Sequence, residues 1–351
     1  MTVPTLDGIT AETINTERIS TRVLFSGAQD GTPVIFVHGN VSTATFWEET
    51  ILALPDGFRG IAYDQRGYGG ADVAKKIDAT RGMGDLADDL KALIDTLGYE
   101  RAHLVGHSAG GSVLWRFMMD HPSMCQSVTL VNPGSPYGFG GTQGLEGKLN
   151  FEDSAGTGGG TVNPAFPPMI ASGERGDGEG TPRWTMLTFY GKPPFQPARE
   201  EDLLSSMLST HVGEQDYPGD MTPSENWPNV APGKWGMVNA LSPKYLQAID
   251  ALYSIDPKPP VLWIRGSDDQ IVGDASFFDM ATLGKLGMVP GYPGEDVAPP
   301  QPMVGQTRAV LERYAETGGQ FEEVVIDETG HSPYLEKPAE FNQAFHAFLT
   351  R

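Results

Sequence analysis

The sequence predicts an α/β protein in which a mostly parallel sheet carries helices on both faces. Three observations indicate this fold class. Short apolar runs recur along the chain, and several of them end in polar, glycine-rich loops. Amphipathic segments lie between these apolar runs. The two kinds of segment alternate up to Asn132. Parallel strands need long connections, which helices usually supply. We therefore expect the order strand, helix, strand, helix, strand in this part of the chain.

The first third of the chain supplies these elements one after another. Residues 12–26 alternate between polar and apolar side chains, which indicates a hairpin, and the apolar run PVIFVHG at 33–39 is typical of a central strand. Another strand ends within RGIAYDQRGYGG at 59–70. The helix GDLADDLKALIDTLG follows, with one apolar stripe formed by Leu86, Leu90, Leu93, Ile94 and Leu97. A helix at about 109–120 then separates the buried strands AHLVG and SVTLVN.

From residue 134 to about 245 this alternation stops. Segments such as GTGGGT and GERGDGEG are rich in glycine, and only AREEDLLSSMLSTH at 198–211 resembles a helix. More than a hundred residues is too long for a loop of a compact domain. The region contains the large aromatic residues Trp184, Phe189, Tyr190, Phe195, Trp227 and Trp235. We therefore expect an inserted cap at 134–245 and a core domain made of residues 1–133 and 246–351.

The sheet resumes after the cap. PPVLWIRG at 259–266 and FEEVVID at 321–327 are predicted strands, and PAEFNQAFHAFL at 338–349 is a predicted helix. A second insertion, LGMVPGYPGEDVAPPQP, occupies 286–302 between the two strands. The core is therefore expected to close with two further strands and a final helix.

Composition limits the classes of partner. The 351 residues include 45 acidic and 24 basic side chains, so the net charge of −21 repels phosphate backbones and anionic lipids. Nucleic acid and membrane are thus not expected as partners, and we expect a monomer or homodimer that binds a small molecule. Cys125 is the single cysteine, which excludes an intramolecular disulfide bond. The first residues lack the basic start and apolar core of a signal peptide, so a cytoplasmic location is expected.

Ser108 is the candidate nucleophile. It stands in Gly106-His107-Ser108-Ala109-Gly110, a G-x-S-x-G pattern that occurs often by chance. Its context makes it specific, because a predicted strand precedes it and a predicted helix follows it without room for a loop. Glycines two residues before and after the serine allow this sharp turn, which would expose the hydroxyl at the carboxyl edge of the sheet.

A serine nucleophile needs a base and a group that orients the base. His331 lies in a glycine-bounded loop after the last predicted strand, whereas His38 and His107 stand too close to their turns to act as the base. Asp268 and Asp269 follow the strand PPVLWIRG. The order serine, acid, histidine is the one expected for this architecture. A simpler reading of the two aspartates is that they only form the turn.

Two backbone N–H groups are the candidate oxyanion donors. Ala109 follows the nucleophile, and Asn40 follows Gly39, whose missing side chain permits close approach of the backbone to a substrate. The simpler reading of His-Gly-Asn is a turn that ends a strand. The predicted substrate contacts are Gly39, His107, Trp184 and Tyr190.

Five motifs in order, FVHGN, YDQRGYGG, LVGHSAGG, IRGSDDQIV and ETGHSPYLEKP, resemble the α/β-hydrolase superfamily. The resemblance covers roughly residues 10–133 and 258–351. It implies a three-layer fold with an eight-stranded, mostly parallel sheet, a cap inserted after the sixth strand, and no cofactor. It also implies that Ser108 is the nucleophile, His331 the base and Asp269 the acid, with Asp268 as the fallback.

The resemblance also narrows the chemistry. Family members that open epoxides or remove halides place an aspartate where Ser108 stands, so these reactions are not expected, although HGN followed by Trp47 resembles the dehalogenases. We expect a serine hydrolase that cleaves a carboxylic ester or lactone of a medium-sized, largely apolar molecule through an acyl-enzyme. Carbon–carbon bond hydrolysis, amide hydrolysis and perhydrolysis stay open on the same triad, as does a lyase. A ligand-binding sensor with little turnover is the alternative of another class.

Overall fold

Eight strands form one sheet in the computed structural model, which describes residues 3–246 and 248–351. In chain order the strands are β1 Thr10–Asn15, β2 Ser20–Gly27, β3 Thr32–Val37, β4 Phe58–Tyr63, β5 Ala102–His107, β6 Cys125–Val131, β7 Val261–Gly266 and β8 Phe321–Ile326. Their order in space is β1-β2-β4-β3-β5-β6-β7-β8. The predicted eight-stranded sheet is therefore confirmed.

The sheet is parallel except at one end. Strand β2 pairs antiparallel with both β1 and β4, whereas every pair from β4 through β3, β5, β6 and β7 to β8 is parallel. The antiparallel pair β1–β2 is the hairpin expected from the alternating pattern at 12–26. Because the other strands run in one direction, their carboxyl ends meet at a single edge of the sheet.

Helices connect and cover these strands. They are α1 Glu48–Leu52, α2 Gly84–Thr96, α3 Ala109–Asp120, α4 Phe166–Ser172, α5 Pro182–Thr185, α6 Glu200–Leu208, α7 Met237–Ala240, α8 Met280–Lys285, α9 Met303–Glu316, α10 Pro333–Glu336 and α11 Pro338–Leu349. A π-helical turn, Met186–Tyr190, follows α5. Within the described residues, no helix is both long enough and apolar enough to cross a bilayer.

Two apolar cores make the fold three-layered. One core packs α2, α3 and α9 on the sheet, and the predicted stripe of α2 supplies Leu86, Leu90, Leu93 and Ile94, each at most 1% exposed. The other core packs α1 and α11 on the opposite face through residues such as Phe341 and Phe345. Each of these buried side chains contributes about 1.5–3 kcal/mol to folding.

The cap leaves the sheet after β6 and the chain returns at β7, as the resemblance implied. It contains α4 to α7 and three short strand pairs, Thr142–Gln143 with Lys148–Leu149, Val212–Gly213 with Tyr217–Pro218, and Met221–Pro223 with Val230–Pro232. A third apolar cluster joins cap side chains such as Met186 and Leu204 to Val41 and Phe46 of the core. The exact cap limits, 134 and 245, stay a prediction.

Candidate active site

Ser108 is the single residue between the end of β5 and the start of α3. Its backbone angles, φ 54° and ψ −120°, lie in a region that residues other than glycine rarely adopt. The flanking glycines are required by close contacts: a Cβ on Gly106 would lie 2.6 Å from the Gly110 carbonyl oxygen, and one on Gly110 would collide with the Val37 carbonyl oxygen. The chain is thus bent sharply at the carboxyl edge of the sheet, as the motif predicts.

His331 and Asp269 form a buried pair at the same edge. His331 Nδ1 lies 2.8 Å from Asp269 Oδ2, and the two side chains are only 3% and 4% exposed. The other carboxylate oxygen accepts hydrogen bonds from the N–H groups of Ile271 at 2.8 Å and Val272 at 3.0 Å. A carboxylate beside Nδ1 fixes the proton on that nitrogen, which leaves Nε2 as the basic atom of the imidazole.

Asp268 has a different environment. Its carboxylate accepts from Ser267 Oγ at 2.6 Å and pairs with Lys192 Nζ at 3.3 Å, and its side chain is 43% exposed. These hydrogen bonds hold the pKa of Asp268 below its ordinary value. The structure therefore brings Asp269 to the histidine, and Asp268 forms a surface contact with the cap.

The loop after β3 packs on Ser108. A Cβ added to Gly39 would lie 3.0 Å from the Cβ of Ser108, so only glycine fits at this approach without displacement. The N–H groups of Asn40 and Ala109 donate to no acceptor among the described residues. Ala109 is the first residue of α3, where an N–H has no helical partner. Both predicted oxyanion donors are therefore available.

The side chain of Asn132 joins two strand ends to the histidine loop, which is the segment 327–332 that contains His331. Asn132, directly after β6, donates from Nδ2 to the carbonyl oxygens of Gly330 at 3.0 Å and His331 at 2.8 Å. Its Oδ1 accepts from the N–H of Gly266 at the end of β7, at 2.9 Å. His107 Nε2 also donates to the His331 carbonyl oxygen at 2.8 Å. Burial, and after it the nearby His331, lowers the pKa of His107 well below its ordinary value. The His107 ring that donates to the His331 carbonyl oxygen is therefore neutral.

Comparisons with known proteins agree with this fold. Residues 32–152 match the family described as alpha/beta hydrolase fold. The chain is 33% identical over 133 residues to AB hydrolase superfamily protein YfhM of Bacillus subtilis (strain 168), which covers 38% of this chain and 46% of that protein. It is 27% identical to Epoxide hydrolase A of Mycobacterium tuberculosis over 97% of both chains. The protein has the α/β-hydrolase fold, and its sequence is similar to members of that superfamily.

Other similar proteins carry different names. Putative carbamate hydrolase RutD of Variovorax paradoxus is 35% identical over 131 residues, which cover 37% of this α/β-hydrolase and 48% of RutD. The chain thus spans less than half the length of YfhM and RutD. A solved putative aryl esterase from Burkholderia cenocepacia has a TM-score of 0.59 and 17% identity, covering 97% of this chain and 98% of its own. Carboxylesterase CesB of Bacillus subtilis has a TM-score of 0.56 and 20% identity, covering 97% and 91%. These two structures share the fold.

Ser108 and His331, the candidate nucleophile and base, lie near each other, but no hydrogen bond within the described part of the chain joins them. The ring of His107, which precedes the serine, lies 4.6 Å from the ring of His331. No hydrogen bond between described residues joins Ser108 Oγ to the His331 imidazole. In unliganded sites such bonds are often long and tighten when substrate binds. Of the two hydrogen bonds that would join Ser108, His331 and Asp269, the structure therefore contains only the one between Asp269 and His331 among the described residues.

The predicted substrate contacts lie in different surroundings. Gly39 faces Ser108, as described above, and Tyr190 lies over the site with its ring 6.2 Å from that of His331. His107 is buried behind His331, and Trp184 packs on Phe189 at 5.5 Å in the cap. Substrate contact by these four residues stays a prediction.

Three positions near the site were missed by the sequence reasoning. Asn132 ends the run SVTLVN, and a polar side chain directly after a buried strand was the available signal. Glu336 lies within the quoted ETGHSPYLEKP, where only the histidine was considered. Tyr68 occupies the quoted YDQRGYGG and is fully buried with its hydroxyl on Asn40 Oδ1 at 2.6 Å. No set of three His, Cys, Asp or Glu side chains within 3–246 and 248–351 is arranged to bind a metal ion.

Proposed function

We propose that this α/β-hydrolase cleaves a carboxylic ester or lactone of a medium-sized, largely apolar small molecule through an acyl-enzyme. The observation that carries the proposal is the buried pair His331 Nδ1 to Asp269 Oδ2, 2.8 Å apart, at the sheet edge where the strained Ser108 turn also lies. A positioned nucleophile, an oriented base and two free N–H donors together meet the requirements of acyl transfer.

The reaction proceeds in two halves. Ser108 Oγ attacks the substrate carbonyl carbon as its proton passes to His331 Nε2, and the N–H groups of Asn40 and Ala109 bind the oxyanion. The protonated His331 then donates that proton to the leaving oxygen, and the acyl group stays on Ser108. Water next attacks the acyl carbon while His331 accepts its proton. The tetrahedral intermediate collapses, the carboxylic acid leaves, and the proton returns to Ser108 Oγ.

The nucleophile favours acyl substrates over epoxides. Attack of a hydroxyl on an epoxide carbon would form an ether between Ser108 and the substrate, and the triad has no means to hydrolyse an ether. Attack on a carbonyl forms an ester, which the same residues hydrolyse in the second half. Similarity to the mycobacterial epoxide hydrolase therefore does not make an epoxide the proposed substrate of this chain.

The cap supports a small, apolar substrate. We propose that residues 134–245 roof Ser108, because Tyr190 of this region lies against His331 and Phe46. An aromatic roof favours apolar groups and restricts the access of polymers.

The decisive experiment labels the wild-type protein with a fluorophosphonate probe and maps the modified residue by mass spectrometry. We expect modification at Ser108, its loss in Ser108→Ala, and its retention in Ser112→Ala, a buried serine one turn further along α3. p-Nitrophenyl esters and lactones, compared with amides and dienoic diketones, then define the bond. Labelling of another serine, or of none, would overturn the mechanism. Ligand binding without turnover in the wild type would instead favour a sensor.

A further inference from the structure

The hydroxyl group of Tyr190 in the cap reaches residues 39–42 after β3, which form the proposed oxyanion loop. The hydroxyl donates to the Asn40 carbonyl oxygen at 3.0 Å and lies 3.3 Å from the Val41 carbonyl oxygen. The side chain is 8% exposed, and its ring packs on Phe46 with 6.0 Å between ring centres. A buried hydroxyl that lacks a partner costs free energy, so this contact favours one arrangement of the loop.

The oxyanion donor belongs to a peptide that the core already holds. The N–H of Asn40 shares a peptide unit with the carbonyl group of Gly39, and the two groups of a trans peptide point in opposite directions. The Gly39 oxygen lies 2.8 Å from His38 Nδ1 and accepts from Ser42 Oγ at 2.9 Å. These two side chains therefore aim the Asn40 N–H away from themselves.

The next peptide is held from the cap side. Its carbonyl oxygen, that of Asn40, accepts the Tyr190 hydroxyl, and its N–H, that of Val41, donates to Asn40 Oδ1 at 3.0 Å. Val41 has φ 46°, which is strained for a β-branched residue. A strained residue keeps its conformation only where contacts on all sides enforce it. Without the cap hydroxyl, this loop loses one of the contacts that oppose relaxation.

The same cap segment also contacts the histidine loop. The N–H of Lys192 donates to Glu336 Oε2 at 2.7 Å, and the Gly330 N–H donates to both oxygens of the same carboxylate at 2.9 Å. A Cβ on Gly330 would lie 2.7 Å from the Lys192 nitrogen, so the two backbones meet directly. Cap residues 190–192 therefore contact both the oxyanion loop and the residue before His331.

We propose that Tyr190 is a positioning residue whose hydroxyl holds the Asn40–Val41 loop in the shape that aims the Asn40 N–H at the oxyanion. Docking of the cap then completes the oxyanion hole, and the contribution of Tyr190 to the reaction passes through Asn40. The inference rests on the proposed acyl transfer and goes beyond it by giving the cap a part in transition-state stabilisation.

The test compares Tyr190→Phe with wild type on an ester that the wild type hydrolyses. The variant removes one hydroxyl and keeps the ring against Phe46. The matched control is Tyr217→Phe, since Tyr217 is buried in the same cluster and its hydroxyl makes no hydrogen bond to a described residue. We expect kcat of Tyr190→Phe to fall about fivefold to tenfold with KM within twofold. A boronic acid that mimics the tetrahedral intermediate should lose affinity by the same factor.

Each outcome decides a separate point. If wild type hydrolyses the ester and Tyr190→Phe matches it in kcat and boronate affinity, the inference is wrong and the proposed function stands. A rise in KM with unchanged kcat would make Tyr190 a substrate contact and also overturn the inference. If the wild type neither hydrolyses esters nor reacts at Ser108, the proposed function itself fails. If Tyr190→Phe does not fold, Phe46→Leu loosens the packing that holds the Tyr190 ring over this loop and must show the same selective loss of kcat.

Discussion

The sheet core and the cap hold their parts of the site by different means. In the core, Ser108, Asp269 and His331 stand at strand ends, and Asn132 adds hydrogen bonds between those ends. The cap has short helices and strands of two or three residues, and it reaches the reacting loops through individual polar contacts such as the Tyr190 hydroxyl. The pairing of Asp269 with His331 therefore depends on the core, whereas the shape of the Asn40–Val41 loop depends on both regions.

The two regions should therefore fail in different ways. A change in the core removes a reacting group or its support, so it should abolish turnover or destabilise the whole fold. A change in a cap contact should leave the core folded. It should reduce turnover only by the factor that corresponds to the free energy of one or two hydrogen bonds. Four predictions test this contrast, beginning with the largest effect.

Exchange of the acid should have the largest effect on turnover. Asp269→Asn keeps the shape of the side chain and removes the charge that fixes the His331 tautomer, so we expect kcat to fall roughly 10⁴-fold. Asp268→Asn is the matched control, because this neighbouring carboxylate is exposed and pairs with Lys192. Steady-state kinetics of both variants provide the measurement. A comparable loss in Asp268→Asn would show that the acid has been assigned to the wrong residue.

Acid should destabilise the core through two buried histidines. Burial lowers the pKa of His38 and of His103 from the ordinary 6.5 to about 4. Between these values the unfolded chain binds more protons than the folded one, so stability is full above pH 6.5 and falls as the pH drops toward 4. We expect a loss of roughly 3 kcal/mol for each histidine over this window.

Urea unfolding between pH 7 and pH 4.5 measures this effect. The Gln65 N–H donates to His38 Nε2 at 2.9 Å, so a proton on that nitrogen would also break this hydrogen bond. The variant His103→Gln should show a smaller dependence on pH than wild type. An unchanged slope in that variant would exclude His103 as a contributor.

A buried ion pair joins the cap to the core. Arg199 Nη1 lies 3.0 Å from Glu48 Oε2, and the Glu48 side chain is fully buried. Arg199→Met leaves this carboxylate with the Leu6 N–H at 2.8 Å and with Arg22 at 3.9 Å. We expect a loss of about 3 kcal/mol in the free energy of unfolding. Arg175→Met, which breaks an exposed pair, should cost below about 1 kcal/mol.

Denaturant titrations of the two arginine variants supply the comparison. Should the two variants lose equal stability, the cap is not held on the core by the buried pair.

The smallest expected effect concerns the contact between cap and histidine loop. Glu336→Gln keeps one acceptor oxygen and turns an amide group toward an N–H of Gly330 or Lys192. We therefore expect the free energy of unfolding to fall by about 1–2 kcal/mol. We expect kcat to fall by less than about tenfold. Burial raises the pKa of Glu336 above its ordinary value. Thermal unfolding and steady-state kinetics check both numbers, with Glu340→Gln on the exposed face of α11 as the control. A stable variant with a hundredfold loss of kcat would give Glu336 a larger role than support.

The fold of the core could be predicted because its signals are local. Buried parallel strands are nearly all apolar, the α2 stripe repeats with the helical period, and Gly106 is required by a contact with Gly110, only four positions away. Asp269 could be preferred over Asp268 only through the resemblance, because both aspartates follow the same strand. The structure distinguishes the two aspartates by their burial, which cannot be read from the neighbouring residues in the sequence.

The cap contacts could not be predicted in the same way. Tyr190 and Asn40 are 150 positions apart, and no periodic pattern between them reports that a hydroxyl meets a backbone oxygen. The sequence predicts both Trp184 and Tyr190 as substrate contacts. In the structure, the hydroxyl of Tyr190 is used by the oxyanion loop, and Trp184 lies against Phe189.

The backbone at Ser108 has a consequence for the evolution and engineering of the chain. At φ 54° and ψ −120°, a serine costs about 1–3 kcal/mol that a glycine would not. The protein is therefore less stable than its fold allows at the one position that its proposed chemistry needs most. A screen that rewards thermal stability alone would favour glycine at position 108, and it would enrich inactive protein among its best candidates.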